Sequence, residues 1–156
     1  METHAAEILH FVIVTRYYPP EISGGARRPF LYVKALRELG HRVTLVTPFP
    51  VDDDDIICVP NTAILNGLNR SQDDDIIQAP SIKRRIKNTL REWLFWPDAD
   101  IRWAKDVVKT LSANAIKPDW IMTTSPPESV HFAGAKLSKS LGVPWLAELR
   151  DTWIKH

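Results

Sequence analysis

This chain of 156 residues has little of what marks several easily recognised protein classes. Its one cysteine, Cys58, leaves no internal disulfide and excludes a disulfide-stapled secreted scaffold, so a reducing compartment, the cytoplasm, is the expectation. No long hydrophobic run is present. The stretch Ile8 to Thr15 is interrupted by His10, lies next to Glu7 and is far shorter than the ~20 residues that cross a bilayer, so neither a signal peptide nor a membrane span is expected. Neither sign of charge dominates: Lys plus Arg is 20, Asp plus Glu is 19, and the formal net charge is +1. Such a balance gives no global attraction to nucleic acid, and none is expected as a partner. Finally, the six glycines form neither G-x-G-x-x-G nor G-x-x-x-x-G-K-[ST], which removes the usual dinucleotide and P-loop signatures.

What is present is an alternation of strand and helix patterns. The segment 8–15 is almost continuously apolar and β-branched, as a strand covered on both faces should be. The loop Tyr17 to Gly25, with paired prolines and paired glycines, interrupts regular structure. From about Ala26 a helix is expected, with Pro29 in its first turn, Tyr32, Ala35, Leu36 and Leu39 at helical spacing, and Gly40 as its stop. Arg42 to Thr47 then reads as a second strand, completing a βαβ unit with a right-handed crossover. His41, between helix and strand, is expected to satisfy carbonyls at the helix end.

The stretch at about 50–80 reads as an irregular, exposed insertion containing a short third strand at 56–59. Its Asp52–Asp55 run is expected to be a solvated loop, because no calcium-loop spacing accompanies it, and no metal site is expected. A basic amphipathic helix follows, with Ile82, Ile86, Leu90 and Leu94 on one face. It either packs that face on the sheet or, with its aromatic boundary to residue 96, lies on a membrane surface. A helix with Ile101, Ala104, Val108, Leu111 and Ala115 inward comes next, capped by Asp98 or Asp100. A fourth strand at 119–124, a helix with Val130, Ala133, Leu137 and Leu141 inward and a stop at Gly142, and a fifth strand at 144–149 complete the series. The fold class expected is α/β, a doubly wound Rossmann-like parallel sheet in a single domain.

In such a sheet ligands lie beyond the carboxyl ends of the strands, so the loops at Tyr17–Gly25, Ser125–Glu128 and from Arg150 onward should meet. Gly24 and Gly25 precede a helix and let its amides approach a phosphate, with Arg27 and Arg28 adding charge; equally, two glycines simply make a tight turn. Ser125 ends a strand at the same edge. His131 either faces the cleft, where it hydrogen-bonds a hydroxyl or relays a proton, or is an exposed helical histidine. Asp151 either accepts from an acceptor hydroxyl beside Arg150 or forms a plain ion pair with it. Glu21 either contacts acceptor, or orients Arg27, or is solvated.

The blocks Tyr17-Tyr18-Pro19-Pro20-Glu21 with Gly24 to Arg28, Leu39 to Thr47, Leu94 to Asp98 with Trp103, Pro118 to Ile121, Ser125-Pro126-Pro127, and Pro144-Trp145 before Arg150 to Trp153 resemble the start of family-4 glycosyltransferases of GT-B fold. They run in the same order over nearly the whole chain except about 50–80. The resemblance implies a retaining sugar transfer from a nucleotide-sugar, which is substrate rather than cofactor, to a glycan or lipid-linked acceptor in cell-surface polysaccharide or glycolipid assembly. It implies that this chain is the acceptor-side half, truncated before the donor domain and inactive without it. Gly24 and Gly25 would face the donor diphosphate across the cleft, without a metal ion. A donor-domain chain would be its partner, and the helix over 82–96 would touch the inner face of the membrane. The competing reading is a non-catalytic module that binds acceptor, membrane or partner. A generic nucleotide-binding regulator lacks a complete phosphate fingerprint.

Overall fold

The computed structural model describes residues 7–21, 24–62 and 98–150. The apolar, β-branched runs form strands β1 (His10–Thr15), β2 (Arg42–Thr47), β3 (Ile56–Cys58), β4 (Trp120–Thr124) and β5 (Trp145–Glu148). They make one five-stranded sheet in the order β3-β2-β1-β4-β5. Every pairing is parallel, with Ile13 opposite Leu45 on one side and Met122 on the other. The described helices are α1 (Arg27–Glu38), α2 (Ile101–Ala113) and α3 (Ser129–Leu141). The expected α/β fold with a doubly wound parallel sheet is therefore present. The basic stripe at Ile82–Leu94 lies outside the described residues.

Helices cover both faces because each central strand is apolar on both sides. Ile13, Val43, Leu45 and Met122 pack with Val33 under α1. Val12, Val14, Val46 and Ile121 pack with Trp103, Val107, Val130 and Leu137 under α2 and α3. The buried face of α2 is Ile101, Trp103, Ala104, Val107 and Leu111. Val107 is buried there, Val108 packs partly buried against the same core, and Ala115 lies beyond the helix. Trp103 decides this rotation: its ring is fully buried and its indole N–H donates to the Val59 carbonyl at 2.7 Å, anchoring α2 beside β3. On α1 the inward residues are Pro29 and Val33, whereas Leu39 is 71% exposed.

Two local details differ from expectation. The acidic run is the expected loop, with Asp52, Asp54 and Asp55 exposed, but Asp53 is tied down: Arg37 donates to both its oxygens at 2.7 and 3.2 Å, and the Asp55 amide donates to it at 2.9 Å. That Arg37 fork holds the Asp53 carboxyl below its ordinary value against a smaller opposing effect of burial. His41 accepts rather than donates; its Nδ1 takes the Leu9 N–H at 3.3 Å, which ties the helix end to the start of β1.

The face of β4 and β5 beside α1 is incompletely covered. Trp120 and Leu146 are 38% and 53% exposed. An apolar cavity of about 270 Å³ lies there, between Tyr32 and Leu36 of α1 and Phe11, Trp120, Met122 and Leu146 of the sheet. An apolar surface of this kind, next to an edge strand, marks a place where another element packs.

Candidate functional site

Strands β1 and β4 are neighbours whose onward connections leave in opposite directions, β1 through α1 to β2 and β4 through α3 to β5. The crevice at their carboxyl ends is the natural ligand position of an open parallel sheet. The loops expected to meet there do so, and Arg150 is what joins them. Its Nε–H donates to the Ser125 carbonyl and its Nη1 to the Gly25 carbonyl at 2.9 Å. The Ser125 amide and hydroxyl both donate to the Glu148 carbonyl, at 3.1 and 3.3 Å. One guanidinium thus sets the distance between the glycine loop and the loop after β4. Asp151 lies outside the described residues.

The two helix N-termini at this edge differ. At α3, the Ser129 amide donates to Asp98 Oδ2 at 2.7 Å, so a carboxylate of the chain already sits on that dipole. Asp98 therefore serves α3, and Asp100, at the N-cap of α2, makes no side-chain cap bond. At α1 the N-cap is Ala26, which offers no capping side chain, and the first turn holds no acid. The first intrahelical bond runs from the Phe30 amide to Ala26, so the amides of Arg27 and Arg28 have no acceptor within the helix, and Pro29 has no N–H to offer. Arg27 is exposed and makes no ion pair with another described residue. Among the described residues no side chain caps this terminus and no acid pairs with the guanidinium beside it, which suits an anion.

The paired glycines have separable roles. A Cβ on Gly25 would lie 2.9 Å from the Tyr17 ring, whereas a Cβ on Gly24 would meet no described residue within 4 Å. Packing alone thus accounts for Gly25, and open space lies over Gly24. Gly25→Ala is expected to lower stability by about 1 kcal/mol as Tyr17 is displaced. Gly24→Ala should leave stability within about 0.5 kcal/mol of the parent. Chemical denaturation of both variants checks this; equal losses would show that Gly24 is also a packing residue.

Arg28 turns toward β5, its Nη1 donating to Glu148 Oε1 at 3.2 Å beside the Tyr32 hydroxyl at 2.9 Å. Burial pushes the Glu148 carboxyl up, but the neighbouring Thr124 hydroxyl, Tyr32, Arg28 and the charge of Arg150 more than offset this and hold it below its ordinary value. Glu148 therefore stays ionised and locks α1 to β5. Glu21 pairs with Arg16 at 3.4 Å rather than orienting Arg27. Arg16 also lies 3.7 Å from Asp100 and stacks 4.7 Å from the Tyr17 ring centre. Sequence reasoning passed over Glu148 and Arg16. The signal was available: Glu148 and Arg150 are two apart at the end of a strand and so share a face, and Arg16 directly follows β1.

His131 is neither an exposed helical residue nor open to the crevice, being 8% exposed. It packs under α3 with its Nδ1 2.8 Å from the Thr123 hydroxyl, which receives the Trp145 indole N–H at 2.8 Å. Burial lowers the His131 pKa from 6.5 against weaker opposing effects of Glu128 and Glu148. The unfolded chain then binds a proton near pH 6.5 that the folded chain refuses, so this contribution is intact above pH 6.5 and is lost as pH falls from there toward the lower folded value. Thermal melts should show stability declining below pH 6.5, a slope that His131→Gln flattens; an unchanged slope would assign it to other groups. The lowered carboxyls of Asp53 and Glu148, with ordinary values of 3.8 and 4.5, act only in more acidic solution.

Among the described residues no group of three or more His, Cys, Asp or Glu is arranged to hold a metal ion. Among the same residues no helix is long and apolar enough to cross a membrane. No family model matches the chain, and no curated protein matches it. Among solved structures it is similar to the C-terminal domain of a hydrogenase from Pyrococcus furiosus, with 18% identity over 90% of this chain and 91% of that one and a TM-score of 0.47. A likeness at that level carries no functional weight.

Proposed function

We propose that this domain forms the acceptor-side wall of a glycosyltransferase cleft, with the donor side supplied by a second α/β domain. The observation that carries the proposal is the α1 N-terminus. Among the described residues no side chain caps it, Arg27 flanks it and no atom meets the space over Gly24, and Arg150 holds it against the Ser125 loop. Fixed amides and guanidinium groups aimed at one point would stabilise the charge that develops on a departing nucleoside diphosphate without a metal ion. In this reading Gly24, Arg27 and the α1 amides face the diphosphate, while Ser125 and Asp151 lie toward the acceptor. Gly25, Arg28 and Arg150 position the wall. His131 supports it from within and does not touch substrate. The acceptor is a glycan or lipid-linked sugar, the site of action is cytoplasmic, and the basic segment at 82–96 supplies contact with an anionic membrane surface.

Only one wall is present among the described residues, and positioning of both reactants needs two. The purified chain is therefore expected to transfer no sugar from nucleotide-sugars alone, and to do so once a complementary donor domain is added. Gly24→Ala, which leaves the fold intact, should then reduce transfer. Full turnover by the chain alone, or a Gly24→Ala pair as active as the parent, would refute the assignment. The second reading, a non-catalytic binding module, draws on the exposed apolar face of Trp120 and Leu146.

A further inference from the structure

The last strand of the sheet, β5, is paired on one side only: it lies beside β4 and beside no other described strand. In a parallel ladder a residue turns both its N–H and its C=O toward one neighbour, and successive residues alternate sides. The carbonyls of Pro144 and Glu148 accept from the amides of Ile121 and Ser125, so Pro144, Leu146 and Glu148 face inward. Trp145 and Ala147 therefore turn their N–H and C=O outward, and an outward row of this kind is a template for another strand. Nothing on this edge discourages pairing. β5 reads Trp145-Leu146-Ala147-Glu148, with no lysine and no internal proline, and its one charge, Glu148, turns to the α1 face, where Arg28 and Tyr32 hold it. Leu146 stands 53% exposed on the same face. The other edge is blunted: β3 has only three residues and is preceded by exposed Asp54 and Asp55.

The strand that fits this edge is β5 of a second copy. A two-fold axis normal to the sheet at Leu146 sets the two β5 strands antiparallel, with Leu146 opposite Leu146 and Trp145 of each copy opposite Ala147 of the other. The outward groups of Trp145 and Ala147 then exchange both main-chain hydrogen bonds, and the axis makes that pair twice. Leu146 falls at the intervening position without hydrogen bonds, where side chains approach most closely, and each exposed leucine covers the other. The axis keeps the α1 faces of both copies on one side. On the opposite face Trp145 meets Ala147, a small residue. No charge meets its like: Glu148 falls opposite Pro144 and remains with Arg28 and Tyr32 of its own chain. The edge is thus complementary to itself, as an isologous contact requires.

We infer that this chain associates with a second copy of itself through β5, edge to edge, joining two five-stranded sheets into one. The strand is short, so the pair forms reversibly and with rising concentration, as small interfaces do. The contact is independent of the transfer reading, since it uses the β5 edge whether or not the carboxyl edge meets a nucleotide. Sedimentation of the full chain should show its mass rising with concentration from monomer to dimer and stopping there, under reducing conditions so that exposed Cys58 forms no cross-link. Hydrogen exchange reads the register: the amides of Trp145 and Ala147 should exchange more slowly in concentrated than in dilute solution, whereas that of Leu146, already directed to β4, should not change. Ala147→Pro removes an outward N–H without touching the β4 ladder and should keep the chain monomeric at every concentration. Leu146→Lys, which opposes two ammonium groups across the axis, should do the same. Cys58→Lys, at the other edge, should leave the association unchanged. Should Ala147→Pro lose the native spectrum, Leu146→Lys and the exchange pattern decide. A chain monomeric throughout, a mass that grows past the dimer, a dimer that survives Leu146→Lys or is lost in Cys58→Lys, or unchanged exchange at Trp145 and Ala147 overturns the assignment.

Discussion

Gly134→Ala is expected to destabilise the domain by about 2 kcal/mol, against the usual preference of helices for alanine. The reason is contact. A Cβ at Gly134 would lie 2.7 Å from Thr123 Cγ2 and closer still to the Trp145 indole, so α3 must lift from β4 and β5. Lifting it also breaks the Trp145–Thr123–His131 chain, whose bonds are 2.8 Å each. In a domain of this size the loss corresponds to a fall in Tm of roughly 4–8 °C. Calorimetry measures it, and an alanine variant as stable as the parent would mean that helix and sheet are not in this close contact.

Arg150→Ala is expected to act on the site and on stability together. It removes donors to the Gly25 and Ser125 carbonyls and one positive charge beside ionised Glu148. Hydrogen bonds from a charged group contribute about 1.5–3 kcal/mol each, and with part of the residue in contact with water the net loss should be about 2–3 kcal/mol. Arg150→Lys should recover little, because a single ammonium cannot span both carbonyls as a planar fork does. Urea unfolding gives the energy, and the Gly25 and Ser125 amide signals give the loop positions. A lysine variant with full stability and unmoved loops would reduce Arg150 to a generic cation.

Strand and helix positions were legible because β1, β2 and β4 are buried on both faces and read as continuous apolar runs, and because Gly40 and Gly142, at φ 85° and 70°, stop α1 and α3 where the pattern ends. The meeting of the three loops was legible for the same reason, since topology alone brings strand ends together. What escaped were pairings over long sequence distance. Nothing near Asp98 announces that it caps a helix starting at Ser129, and nothing near Glu21 selects Arg16 over Arg27. His131 was misplaced because Thr123 and Trp145, one on each of two adjacent strands, offer it a polar niche in an apolar layer that period alone cannot reveal. The tie at Asp53 was not visible because its partner Arg37 lies across the β2 strand on α1.

The uncapped α1 terminus as the anion-facing part of the carboxyl edge is tested most directly by titrating the labelled chain with a nucleoside diphosphate and following backbone amides. Weak, saturable shifts are expected at residues 24–28 and 125–129, diminished by Arg27→Ala and unaffected by Arg42→Ala. Shifts confined to the amino edge near Arg42, or the absence of any saturable shift at residues 24–28, would contradict the account.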